Sequence, residues 1–501
     1  MPTAAAFRVR LSFEPQLSRD RRKRMPSLDP RSVKDDRARA GPPGSWRPMV
    51  KLARLAAGPV DRFFHIEAAS GILLLGSALV ALLWANSPWS HGYEQLWHTP
   101  LGFHIGHFAF DKSLEWFVND VLMAIFFFVV GMEIRRELHD GELSSLRRAA
   151  LPVFGALGGM VVPALLYRAL AGGGPAARGW GVPMATDIAF AVGVLALLGQ
   201  RIPPALRVLL LALAVIDDLG AILVIAVFNS TGLGVSGLLI AALGVAGILI
   251  LRAMGVRNFL AYLSPAILIW AGVYSAGIHP TIAGVIVGLL TPVRAWLGAQ
   301  GFVETARAQA QRISDELSSP NPASSRIAGP LRQVAFFCRE AISPAELLVE
   351  ALHPWVAFLI MPLFALANAG VNLQGVSLEG EGARASIAVC VGLVLGKPLG
   401  VIVVIQLALW ARVSDLPRGL TLRHILVLGA AAGIGFTMSL FIAQLAFADP
   451  ALLGAAKLGV LVASAIAILL GLGLGVLVLP KKNGEEPAPI SEGVRATETP
   501  S

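Results

Sequence analysis

Apolar runs long enough to cross a bilayer as helices recur along almost the whole chain. A hydrocarbon core of about 30 Å is spanned by roughly 20 apolar residues in helical form. Such runs lie at about 66–85, 114–132, 149–170, 180–198, 204–227, 233–251, 258–275, 278–293, 353–372, 386–409, 424–447 and 452–479. The pattern predicts an all-α polytopic membrane protein of about twelve spans, with eleven or thirteen left open by runs that are short or adjacent. Two spans are interrupted. In the fourth, Pro183 and the polar pair Thr186-Asp187 break an apolar helix; in the eleventh, Gly433, Gly435, Thr437 and Ser439 crowd the middle. Broken helices at matching places in two halves point to a transporter's site, because their ends carry partial charge, positive at N-termini and negative at C-termini. Close helix packing is the other reading of the Gly/Ser/Thr cluster.

Composition agrees with this. The 501 residues are 55% hydrophobic and 15% charged, which excludes a water-soluble protein of this length. Outside the spans, Lys and Arg gather on one side if both termini are cytoplasmic: the N-terminal arm, the 133–148 loop with Arg135, Arg136, Arg147 and Arg148, and the 410–423 loop. The opposite loops hold Lys112, Arg168, Arg178 and Arg384. That asymmetry predicts an even number of spans with both ends in the cytoplasm.

The expected organisation is a basic, disordered cytoplasmic arm over residues 1–62, spans one to eight over 63–293, and a long cytoplasmic loop over 294–350. Spans nine to twelve follow over 351–479, and a disordered cytoplasmic tail over 480–501. The loop is punctuated by Pro320, Pro322, Pro330 and Pro344 and has room for one surface helix at about 301–318. The formal charge of +9 comes largely from the arm, which suits anionic lipid; nucleic-acid binding is not expected, as no folded module accompanies it. No apolar core of a cleaved signal precedes the first span, and Met25 or Met49 are alternative starts. Cys338 and Cys390 give neither a disulfide framework nor a cysteine metal site, and no cofactor is expected.

Ionisable residues inside spans are costly and therefore candidates for function: Asp120, Asp187, Asp217, Asp218, Lys397 and Lys457. Asp217 and Asp218 lie mid-span with no basic neighbour in sequence. Consecutive helical residues diverge by about 100°, so one can line a cavity while the other faces a neighbouring helix. A carboxylate so placed can hold either a proton or a hard cation, which prefers oxygen ligands, and that competition is the minimum chemistry of exchange. A structural acid pair bonded to backbone or to Lys397 is the blander reading. Asp187, with Thr186, sits at the break of span four, either as a cap of the following half-helix or as a counter-charge and ion ligand. Lys397, deep in span ten, either pairs with an aspartate or offsets negative helix ends; snorkelling is the lesser reading. Asp120 beside Asn119 joins the cavity or serves structure, Lys457 reads as an anchor, and His279 and His353 as structural histidines beside prolines. Glu133, Arg135, Arg136 and Glu137 read, taken alone, as a solvated helix end.

Four segments are more specific. Ala185-Thr186-Asp187-Ile188-Ala189-Phe190, Ile216-Asp217-Asp218-Leu219-Gly220-Ala221, Leu395-Gly396-Lys397-Pro398-Leu399-Gly400 and Gly433-Ile434-Gly435-Phe436-Thr437-Met438-Ser439 resemble signatures of the NhaA family of bacterial sodium/proton antiporters. Gly131-Met132-Glu133-Ile134-Arg135-Arg136-Glu137-Leu138 and Leu352-His353-Pro354-Trp355-Val356 extend the resemblance, which runs from about Phe64 to Val478. It implies twelve spans, with spans three to five and ten to twelve as inverted repeats whose broken helices cross. It implies ion and proton binding at Asp217 and Asp218, with Asp187 and Thr186 at the crossing and charge balance from Asp187 and Lys397. Electrogenic exchange of sodium or lithium for protons, activation at alkaline pH and an inner-membrane homodimer are further implications. By the same resemblance Glu133, Arg136 and Glu350 serve the pH response. Ala351 stands where the family often carries a histidine, Glu379 replaces a usual Asp, and the arm and the 294–350 loop are longer than typical; these departures bear on regulation rather than transport.

Other classes remain as alternatives: a symporter of a small organic anion, an intramembrane aspartyl protease using Asp187 and Asp217, a retinal-type pump at Lys397, or a channel. The protease lacks a Gly-x-Gly-Asp motif, the pump has too many spans, no repeated pore loop is visible, and an anion has little cationic lining beyond Lys397.

Overall fold

In a lipid interior each backbone N–H and C=O must be satisfied within the chain, and a helix does this locally. The computed structural model, which describes residues 67–480 apart from 106–107, 229–233, 257, 296–297, 320–323, 375, 377–378 and 418, is accordingly mostly helical. Helix α1 (Glu67–Ala85) is followed by α2 (Ser90–His98), which turns by 114°. Strands β1 (Pro100–Ile105) and β2 (Phe108–Ser113) form an antiparallel hairpin pairing Pro100 with Ser113 and Ile105 with Phe108. This short hairpin is the one strand pair among the described residues of an otherwise helical fold. The run Leu101-Gly102-Phe103-His104-Ile105 alternates with the period of a strand. At six residues a strand the hairpin is far too short to cross a bilayer.

Helices α3 (Leu114–His139), α4 (Leu146–Ala171), a 3₁₀ segment (Pro175–Met184), α5 (Ile188–Leu197), α6 (Pro204–Phe228), α7 (Val235–Ala253), α8 (Phe259–Ser275) and α9 (Thr281–Leu290) follow. After α10 (Ala299–Leu317) and α11 (Ser324–Glu340) come α12 (Pro344–Asn368), α13 (Gly380–Trp410), α14 (Leu422–Ala432), α15 (Phe436–Ala446) and α16 (Pro450–Val478). The stretch read as a linker with one helix therefore holds two, α10 and α11, packed on each other. Its prolines misled: Pro330 lies inside α11, and Pro344 opens α12 behind the N-cap Ser343. The arm over 1–62 and all but the first residue of the 480–501 tail lie outside the described residues.

Among the described residues six helices are long and apolar enough to cross a membrane, or up to nine if each bent pair is one span. Large side chains such as Leu239, Leu469 and Leu477 face outward, as lipid contact allows. The chain is a multi-pass membrane protein. Both expected breaks are present: the 3₁₀ segment and α5 meet at 47°, and α14 and α15 at 45°.

Small residues bring the functional spans together. A Cβ on Gly158 would lie 2.2 Å from the Gly400 carbonyl oxygen, and one on Gly400 would lie 2.1 Å from that of Gly158, so α4 and α13 touch backbone to backbone. This contact lies just beyond Lys397, and a π turn over Gly392–Gly396 precedes that lysine. Gly400→Ala is expected to destabilise the protein by about 1–3 kcal/mol through overpacking, read as a fall in thermal midpoint. Gly76→Ala, at a position with nothing within 4 Å, serves as the neutral control.

Candidate functional site

The two breaks meet. The backbone N–H of Asp187 donates to the Ile434 carbonyl oxygen at 2.7 Å, and the rings of Phe190 and Phe436, in the first turns of α5 and α15, lie edge to face 4.9 Å apart. Four helix ends are thus buried together, and each would carry unsatisfied backbone groups unless side chains supplied partners.

The positive ends are met by oxygen. Asp187 caps α5, its Oδ1 accepting from the Phe190 N–H at 3.1 Å. Its Oδ2 accepts from the Thr437 N–H at 3.1 Å and also from the Thr437 hydroxyl, so one carboxylate serves both half-helices. Another first-turn donor of α15, the Phe436 N–H, donates to Ser464 Oγ of α16 at 3.1 Å. The negative ends are met by donors. Lys397 Nζ donates to the Met184 carbonyl at the end of the 3₁₀ segment, and Ser439 Oγ to the Val182 carbonyl at 2.8 Å. The Thr186 hydroxyl, with one proton to give, reaches both Asp217 Oδ2 at 2.7 Å and the Ala432 carbonyl at 3.2 Å.

Against this crossing α6 presents its two aspartates differently. Asp217 faces it: Oδ2 lies 2.9 Å from Lys397 Nζ, and both side chains are fully buried. Asp218, about 100° further round the helix, is 1% exposed, and among the described residues neither of its oxygens has a hydrogen-bond partner; nor has Asp217 Oδ1. Three buried carboxylate oxygens therefore lie beside the crossing without a donor. Buried acceptors are nearly always paired, so such a cluster needs a chemical reason. A hard monovalent cation or a proton satisfies those lone pairs equally well.

The structure brings Thr186, Asp187, Asp217, Asp218 and Lys397 into one buried cluster. Glu133, half-buried on α3, is close enough to Asp218 to act on it electrostatically, together with Asp217, Lys397 and Asp187. Arg136, exposed on the same helix, acts in turn on Glu133. Glu350 is exposed on the first half of α12, which packs against α3, and has no bond to the cluster among the described residues. Asp120 lies apart from the crossing, with His279 Nε2 3.7 Å away, and its neighbour Asn119 accepts from Asn368 at 2.7 Å. Lys457 has its electrostatic partner in Glu115. The protease alternative fails on geometry, because Asp187 and Asp217 are each committed to separate donors and share no proton. Sequence reasoning missed Ser464 as a partner of the crossing. Its signal was a lone hydroxyl mid-way along an otherwise apolar 29-residue helix.

A family model described as Na+/H+ antiporter 1 matches residues 61–474. The chain is 61% identical over 435 residues to the Na(+)/H(+) antiporter NhaA 2 of Myxococcus xanthus, covering 87% of this chain and 92% of that protein. It is 53% identical over 462 residues to the Na(+)/H(+) antiporter NhaA 2 of Sorangium cellulosum, covering 92% and 98%. With the Na(+)/H(+) antiporter NhaA of Janthinobacterium sp. it shares 49% identity over 442 residues, covering 88% and 98%.

Proposed function

The chain belongs to the Na+/H+ antiporter 1 family, secondary transporters rather than enzymes, and from that premise we propose that it exchanges sodium for protons at Asp217 and Asp218. The observation that carries this reading is that the buried oxygens of Asp218, and one of Asp217 beside them, have no partner among the described residues. A cation entering the site draws on those lone pairs only when the carboxylates have released their protons. A proton arriving on Asp218 removes the charge that holds the cation. Binding of one therefore expels the other, and exchange follows when the loaded site opens alternately to each side. Two adjacent carboxylates can take up two protons for one monovalent cation, so the exchange is electrogenic, with sodium or lithium leaving as more protons enter. Asp187 and Lys397 balance the helix ends and keep the crossing intact in both states.

The reading carries finer parts with it. Twelve spans, with spans three to five and ten to twelve as inverted repeats, place both termini in the cytoplasm of a bacterial inner-membrane protein that works as a homodimer. Activation at alkaline pH is assigned to Glu133, Arg136 and Glu350. Glu133→Gln and Glu350→Gln are expected to displace the pH–activity profile while leaving the maximal rate within about threefold of wild type. A dead but well-folded variant of either would contradict that division of labour.

The test is exchange in inside-out vesicles from a bacterium lacking its own antiporters. Respiration acidifies the lumen, and a pH-sensitive dye reports proton release on addition of sodium, lithium or potassium across pH 6.5 to 8.5 (roughly the range a pH-regulated exchanger must cover). Release with sodium and lithium but not potassium is expected. No cation-dependent release from well-inserted protein would turn the assignment toward a symporter on the same fold.

A further inference from the structure

We infer that Ser464 is a positioning residue for the ion site, acting from outside the two broken spans. The inference rests on the antiporter reading and extends it to a residue of α16. Ser464 is 3% exposed and is the only hydroxyl in a helix whose one other polar side chain is Lys457. Helix α16 packs on both halves of the broken pair, α14 and α15, which brings Ser464 to the gap between them. There its Oγ takes the Phe436 N–H at 3.1 Å, while the next donor in the chain, the Thr437 N–H, goes to Asp187 Oδ2.

These two bonds divide the first donors of α15 between a neutral hydroxyl and a carboxylate. Without Ser464 Oγ, the Phe436 N–H is left buried and unpaired beside a positive helix end. The acceptor already engaged with that end is Asp187, which also holds the Thr437 hydroxyl and the Phe190 N–H. Turning Asp187 toward Phe436 loosens one of those bonds and shifts its neighbour Thr186, whose hydroxyl lies 2.7 Å from Asp217 Oδ2. The path from Ser464 to the cation thus runs through the Phe436 N–H and along the backbone to Thr437, across its bonds to Asp187, and through the adjoining Thr186 to Asp217 on α6. A merely structural serine would affect stability and leave the site's affinity alone; a positioning serine changes the affinity.

The test compares wild type, Ser464→Ala and Ser464→Thr in proteoliposomes, with KM for sodium, maximal rate and thermal midpoint measured for each. Ser464→Ala is expected to raise KM about tenfold, the effect of one unmade buried hydrogen bond, with the maximal rate little changed. Ser464→Thr, which keeps the hydroxyl, is expected to remain within about twofold of wild type. An unchanged KM in Ser464→Ala, even with a lowered midpoint, overturns the inference, as does an equal rise in both variants. Should Ser464→Ala fail to insert, Ser464→Cys keeps the volume with a weaker acceptor and must show the raised KM; an unchanged value there overturns the inference as well. A wild type without sodium-dependent exchange overturns the antiporter reading itself, and this inference with it.

Discussion

Asp218→Asn is expected to lower sodium/proton exchange by about a hundredfold or more while the protein inserts and folds as before. An amide keeps the shape of the carboxyl group but carries no charge, offers one acceptor oxygen in place of two and has no proton to release at any ordinary pH. The cation therefore loses its strongest ligand, and the proton loses its acceptor. The stability side of the expectation is equally specific. Neither Asp218 oxygen is bonded to any of the described residues, so neutralising this buried group removes an unfavourable burial rather than a favourable contact. The thermal midpoint should stay level or rise, as happens where a functional site is held at some expense to stability. Exchange retained by a well-inserted Asp218→Asn protein would exclude this residue as the ion ligand.

Lys397→Ala is expected to show the opposite balance, with a stability loss of about 3–5 kcal/mol alongside the loss of exchange. Its ammonium is fully buried 2.9 Å from Asp217 Oδ2 and also donates to the Met184 carbonyl. Removing it strands a buried carboxylate and uncovers the end of the 3₁₀ segment at the same time. The two contributions can be separated. In Lys397→Met combined with Asp217→Asn neither member of the pair is left as a stranded charge, so much of the lost stability should return although exchange does not. Thermal midpoints of the single and double variants read this directly. Equal midpoints would mean that Asp217 and Lys397 are not a coupled pair, and a fully active Lys397→Ala would remove the lysine from the mechanism.

The parts of the site legible in the sequence were those that lipid makes expensive. An aspartate or lysine within an apolar run cannot be incidental, and Asp187, Asp217, Asp218 and Lys397 stand out for that reason alone. The breaks were legible too, from Pro183 with Thr186-Asp187 and from Gly433 with Gly435. Local sequence says only that Asp217 and Asp218 point in different directions; it does not say which of them meets Lys397. That depends on the backbone contact between Gly158 and Gly400, which sets where α13 lies against α4. Ser464 stayed hidden because a single serine in a transmembrane helix can bond to its own backbone, and only the packing of α16 over the α14–α15 gap gives it another partner. The short hairpin over residues 100–113 and the second helix of the 294–350 stretch escaped for a different reason. Both are too short or too polar to register in a search for spans, and Pro330 and Pro344 read as loop punctuation until their positions within or at the start of helices are known.

Competition between sodium and protons for the same oxygens is tested most directly by titrating purified protein with sodium in a calorimeter at a series of pH values. The apparent sodium affinity should weaken as pH falls, by about tenfold per pH unit wherever a single proton competes. Binding should release protons to the buffer, and the heat should vanish in Asp218→Asn. Sodium binding that is independent of pH, or that survives in Asp218→Asn, would contradict exchange at this carboxylate.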